Sequence, residues 1–134
     1  MTDKPKWLML AELKAMSLRS DANALREQYL SIQNEISDVS LDRNKLVDQH
    51  AVYTKHREAL AGLRPDDERI VQAEKKLASI TAEIELLNAH IDGARARQEA
   101  IKEKSTPANI LAEGATAVTR TLQGQASANS VGSI

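Results

Sequence analysis

The residues best suited to acid–base or metal chemistry in this 134-residue chain are three histidines, His50, His56 and His90. None stands four residues from another, the spacing that puts two imidazoles on one helix face for zinc, and no cysteine accompanies them. His50 falls on an apolar stripe, where a polar residue serves to fix helix register. His56 and His90 flank that stripe and are expected to be solvated. Ser17, Ser20 and Ser105 stand where helices are expected to begin, so their hydroxyls read as caps rather than nucleophiles. The Asp66–Asp67 pair has the same explanation at another helix start. The glycines are scattered and form no phosphate-cradling loop, and only Gly62 is given a structural role, in a turn. No catalytic residue, metal ligand set or cofactor site is therefore expected, and the chain is read as a non-enzyme.

Charge narrows the partners. With 18 basic and 19 acidic residues the net charge is −1, and no global field recruits nucleic acid or anionic lipid. The densest basic cluster, Arg95, Arg97, Lys102 and Lys104, is interleaved with Asp92, Glu99 and Glu103 and reads as a solvated face. One Trp, two Tyr and no Phe leave nothing on which bases could stack. Nucleic acid is not an expected partner. Zero cysteines exclude a disulfide framework, and a cytoplasmic or virion setting is expected. The early apolar run "WLMLA" meets Glu12 and Lys14 at once, so neither signal peptide nor transmembrane helix is expected.

What positions these groups is helix. From Leu18, core-type residues recur at alternating steps of three and four: Ala22, Leu25, Tyr29, Ile32, Ile36, Val39, Arg43, Leu46, His50, Tyr53, Arg57 and Leu60. A second, cleaner run holds Ile70, Ala73, Leu77, Ile80, Ile84, Leu87, Ile91, Ala94, Gln98 and Ile101. A single helix would carry the first stripe to Val71, whereas the second resumes at Ile70. That slip turns the stripe by about 100°, and Gly62 and Pro65 lie within it. Proline interrupts helix geometry at and before its own position. Residues 61–66 are thus expected to turn the chain back on itself.

A turn predicts a pairing. Centring an antiparallel register on Pro65 gives the layers Leu60–Ile70, Arg57–Ala73, Tyr53–Leu77, His50–Ile80, Leu46–Ile84, Arg43–Leu87, Val39–Ile91, Ile36–Ala94, Ile32–Gln98 and Tyr29–Ile101. It also sets Glu35 near Arg97 and Asp42 near His90, while Arg26 near Lys102 is an unfavourable neighbour. Off the stripe, Val71, Ala78, Ala82, Ala89 and Ala96 offer small positions for a further helix. The expected fold is all-α: a long antiparallel coiled-coil hairpin with shorter helical segments at both ends.

The ends are expected to be separate elements. Residues 1–19 form an amphipathic docking helix, started by Pro5 and offering Trp7, Leu8, Leu10, Leu13 and Met16 to a partner. Residues 20–104 form the hairpin. Residues 105–123 form a short helix capped by Thr106 with Pro107 at its first position, and Leu111, Val118 and Leu122 supply its partner face. Residues 124–134 are small and polar, a flexible tail. Leu63 and Arg64 are the expected contacts at the hairpin tip.

These readings converge on a non-catalytic structural or adaptor protein. The hairpin would act as spacer or scaffold in a homo-oligomer or multi-subunit complex, such as a phage or viral particle or a secretion or motor apparatus. The rival expectation is a peripheral protein that lays its N-terminal helix on a membrane surface.

Overall fold

The computed structural model describes residues 4–132, with side chains described to residue 128. Two long helices pack against each other, α1 (Lys6–Ala59) and α2 (Glu68–Gly132), and there is no strand among the described residues. Pro5 opens α1, its carbonyl accepting from the Leu8 and Met9 amides at 3.0 and 3.1 Å. The C-terminal end of α1 tightens into i→i+3 bonds, Leu60 N to Arg57 O and Ala61 N to Glu58 O. His56 and Arg57 in its last turn complement the helix dipole.

The turn occupies 60–67, slightly wider than the expected 61–66. Asp67 caps α2: its Oδ1 accepts from the Arg69 amide at 2.9 Å and from Arg69 Nε at 3.1 Å. The Arg69 guanidinium, then its amide, hold the Asp67 carboxyl below the usual value. Asp66 lies outside the helix. Gly62 lies within the turn, as expected. Its φ is not positive, and a Cβ there would meet nothing within 4 Å. Proline at 65 and the cap at 67 account for the break without it.

Residues Met1–Ser31 with Gln98–Ile134 form one compact unit, here the terminal unit; Ile32–Arg97 form the other, the turn unit. In the turn unit the expected stripe is the buried one. Ile36, Ile70, Ala73, Ile80, Ile91 and Ala94 are buried, Ile91 to 1% exposure and Ala94 to none. Val39, Arg43, Leu46, His50, Tyr53, Arg57, Leu60, Leu77, Ile84 and Leu87 are half-buried. Cross-helix bonds join Arg57 to Glu74 (3.2 Å), Arg43 to Asn88 (3.3 Å) and Glu35 to Arg97 (2.9 Å). Partner numbers fall along α2 as they rise along α1. The seam arginines turn their heads outward to these partners, leaving their stems in the seam. Of the off-stripe positions, Val71 is half-buried and Ala78, Ala82, Ala89 and Ala96 are exposed.

The terminal unit departs from expectation. Helix α1 runs through Ser17 and Ser20, both exposed mid-helix, and neither is a cap. Helix α2 runs through Ser105, Thr106 and Pro107, so no new helix starts there. Thr106 Oγ1 donates to the Lys102 carbonyl at 3.3 Å, the back-bond of a residue inside a helix rather than a cap. The residues that bury are Leu8, Ala22, Gln98, Ala112 and Thr119, with Ala11, Ala15, Leu18, Leu25, Ile101, Ser105, Ala108, Ala115, Leu122 and Ala126 half-buried. These keep the three–four spacing of the longer stripes without a slip. Tertiary burial along this seam overrides a proline that costs about 3 kcal/mol inside a helix. Residues 124–132 of the expected tail are helical, and 133–134 lie outside the described residues.

Candidate functional site

The terminal unit is where the side chains that could meet a partner collect. Its seam places Leu8, Ala15, Ala22, Ala112 and Thr119 at heptad position a, and Ala11, Leu18, Leu25, Ala115 and Leu122 at d. Small residues at these positions let two helices approach closely. Thr119 Oγ1, buried, lies 3.3 Å from the Ala11 carbonyl across the seam and donates to the Ala115 carbonyl at 2.7 Å.

The two flanks of this seam differ in character. At e, Arg19 donates to Thr116 Oγ1 at 2.9 Å, and Gln123 donates to Glu12 at 3.4 Å. Glu12 also accepts from Lys4 at 3.0 Å, and that bond leads the causes holding its carboxyl below the usual value. The same flank holds a groove of about 500 Å³ where Arg26 and Lys102 stand with Asn23, Ser105, Thr106 and Asn109. At g stand Trp7 on α1 and Leu111 and Val118 on α2. Beside them, at c, are Leu10 and Gly114. All four bulky side chains are exposed, Trp7 at 44% and Leu10, Leu111 and Val118 near 58%. One flank is hydrogen-bonded and polar; the other is apolar.

Trp7, Leu10, Leu13 and Met16, expected to face a partner, are exposed, whereas Leu8 is buried in the chain's own seam. Leu111 and Val118 are exposed and Leu122 is half-buried in the seam. At the turn, Leu63 is half-buried and Arg64 exposed. Met9, Leu30 and Ile110 are exposed apolar residues that the sequence reading passed over. The signal for all of them is the alanine seam: once Ala11, Ala15, Ala108 and Ala112 are taken as buried, the bulky residues beside them must point elsewhere.

The groups that could do chemistry are engaged locally. The Glu35 carboxylate accepts from His90 Nε2 at 2.7 Å and from Arg97 at 2.9 and 3.0 Å. These bonds, His90 first, hold its carboxyl below the usual value. His90 thus meets Glu35 and not Asp42. His50 Nδ1 lies 3.4 Å from the Thr54 hydroxyl. Lys76 sits 5.8 Å from the centre of the Tyr53 ring. Among the described residues, no three His, Cys, Asp or Glu gather as a metal-holding group. No described helix is long and apolar enough to cross a membrane. No family model, no curated protein and no solved structure matches this chain.

Proposed function

We propose that this chain is a non-catalytic structural or adaptor protein, an antiparallel coiled-coil hairpin that serves as spacer or scaffold within a larger protein assembly. The observation that carries the reading is the inversion in the terminal unit. Alanines take much of its seam beside Leu8, Leu18, Leu25, Ile101 and Leu122, while Trp7, Leu10, Leu13, Met16, Leu111 and Val118 stay exposed. Exposed apolar surface of this kind is characteristic of interaction sites. The turn unit, with its isoleucine seam, acts as the spacer, and Leu63 and Arg64 mark its tip. A phage or viral particle, or a secretion or motor apparatus, would provide such an assembly in a virion or cytoplasmic setting.

The test has two arms. Cysteines placed at Val39 and Ile91 are expected to form a disulfide within one chain, and exclusively intermolecular products would refute the hairpin. Trp7→Ala combined with Leu10→Glu is expected to abolish association with the assembly while leaving helix content unchanged. Retained association would refute docking through this face.

A second reading is favoured by the run of exposed Trp7, Met9, Leu10, Leu13 and Met16 close to Lys4 and Lys6. In it, the start of α1 lies on a membrane surface. Co-sedimentation with anionic liposomes distinguishes the two readings. A wild-type chain that stays in the supernatant eliminates the membrane.

A further inference from the structure

We infer that the groove on the e flank of the terminal unit binds a phosphate monoester, its phosphate held by Arg26 and Lys102 and its organic body resting on Tyr29 and Leu30. The groove lies on the opposite flank from the exposed apolar face, and its occupancy does not depend on what covers that face.

The e flank is a series of cross-helix rungs, of which one is left open. Glu12 is closed by Gln123 at 3.4 Å and Arg19 by Thr116 at 2.9 Å. One heptad further along α1, Arg26 has no such closure, because Asn109, which continues the series on α2, gives its amide to Ser105 Oγ at 3.4 Å. Lys102, the next e residue of α2, lines the same groove as Arg26. Neither cation forms a hydrogen bond or ion pair with another described residue, and no carboxylate lines the groove. Two like charges gathered without a counter-charge repel. A bound anion would remove that cost.

The donors select the anion. Arg26 offers a planar fork suited to two oxygens of one group, and Lys102 a mobile point charge. The Asn23 amide faces the same space. Ser105 Oγ accepts from Asn109, which leaves its own hydrogen to donate. Thr106 is spent on the Lys102 carbonyl. Two full positive charges match a phosphate monoester, which carries about −1.5 to −2 near pH 7. A single carboxylate would leave one cation unmatched and present fewer acceptors.

The groove is also larger than the anion. Its volume of about 500 Å³ lies in the range of small-molecule sites, more than a bare phosphate fills. Tyr29 and Leu30 line it and are 36% and 50% exposed. They supply an aromatic and an aliphatic surface beside the two cations, where an apolar body esterified to the phosphate can rest.

Phenyl phosphate titrated into the full chain, followed by ¹H–¹⁵N NMR, is the test, with benzoate and inorganic phosphate as the other arms. Benzoate keeps the ring but carries one charge; inorganic phosphate keeps the charge but lacks the ring. Amides of 22–30 and 102–109 are expected to shift saturably with phenyl phosphate, which should bind more tightly than either control. Arg26→Gln and Lys102→Gln should each raise its Kd about tenfold with helical circular dichroism unchanged. Arg120→Gln removes an exposed cation of the terminal unit that does not line this groove and should leave the Kd as it is. Four results would overturn the assignment: no saturable shift, benzoate binding as tightly as phenyl phosphate, inorganic phosphate binding as tightly, or a loss with Arg120→Gln as large as with Arg26→Gln.

Discussion

The turn unit and the terminal unit use the same heptad spacing to opposite ends. In the turn unit the seam is filled by Ile70, Ile80 and Ile91, and the g flank carries the Glu35–His90–Arg97 cluster. In the terminal unit the seam is filled mainly by alanine, with Thr119 and Gln98 buried among them, and the g flank carries Trp7, Leu111 and Val118. The turn unit buries isoleucines along its seam and carries an ion-paired cluster on its g flank. The terminal unit buries Leu8 beside a series of alanines and carries exposed Trp7, Leu111 and Val118 on its g flank. Spacing therefore decides which positions are buried, while side-chain size at those positions decides whether a helix pair is complete or needs a neighbour.

The largest effect that would sharpen this contrast comes from the turn unit's core. Ile91→Ala is expected to destabilise the turn unit by about 2–5 kcal/mol, measured by urea denaturation. A cost under 1 kcal/mol would mean that the isoleucine seam is not what holds this unit. Next comes Pro107→Ala, which restores an amide donor to the Glu103 carbonyl and is expected to stabilise the terminal unit by up to about 3 kcal/mol. A loss of stability would show that the proline serves a packing need. Ala112→Leu, which forces bulk into the small-residue seam, is expected to cost about 1–3 kcal/mol. A neutral outcome would mean the helices of the terminal unit are not closely apposed.

These outcomes bear on what was readable from the residues alone. The stripes from Leu18 to Leu60 and from Ile70 to Ile101 were legible because large aliphatic residues mark them. The break at Pro65 was legible from a phase slip. The ends were misread for one physical reason. Trp7, Leu10, Leu111 and Val118 stand out as partner faces and are exposed, whereas the seam that joins the helices runs through Ala11, Ala15, Ala108 and Ala112, whose small side chains give little hydropathy signal. Local cap signals at Ser17, Ser20 and Thr106–Pro107 reinforced the error, since seam burial outweighs local propensity. The exposure of the g flank followed from that seam and could not be seen before it.

The smallest expected effects are electrostatic. Glu35 and Asp67 in the turn unit both have carboxyls held below their usual values, Glu35 by His90 and Arg97 and Asp67 by Arg69. A depressed folded-state value contributes stability that is present above the unfolded value, near 4.5 for Glu35. That stability is lost as pH falls through the folded value. Glu35→Gln should therefore lower the melting temperature slightly at pH 7 and shrink the loss seen between pH 7 and pH 3. An unchanged acid loss would mean that solvent screens the cluster.

The central claim is that the turn unit is complete in itself and the terminal unit is not. Amide hydrogen exchange of the full chain, at a dilution where it is monomeric, tests this most directly. Amides of 36–57 and 70–94 are predicted to exchange substantially more slowly than those of 8–22 and 108–122. Equal protection in both sets, or slower exchange in the terminal unit, would contradict the account.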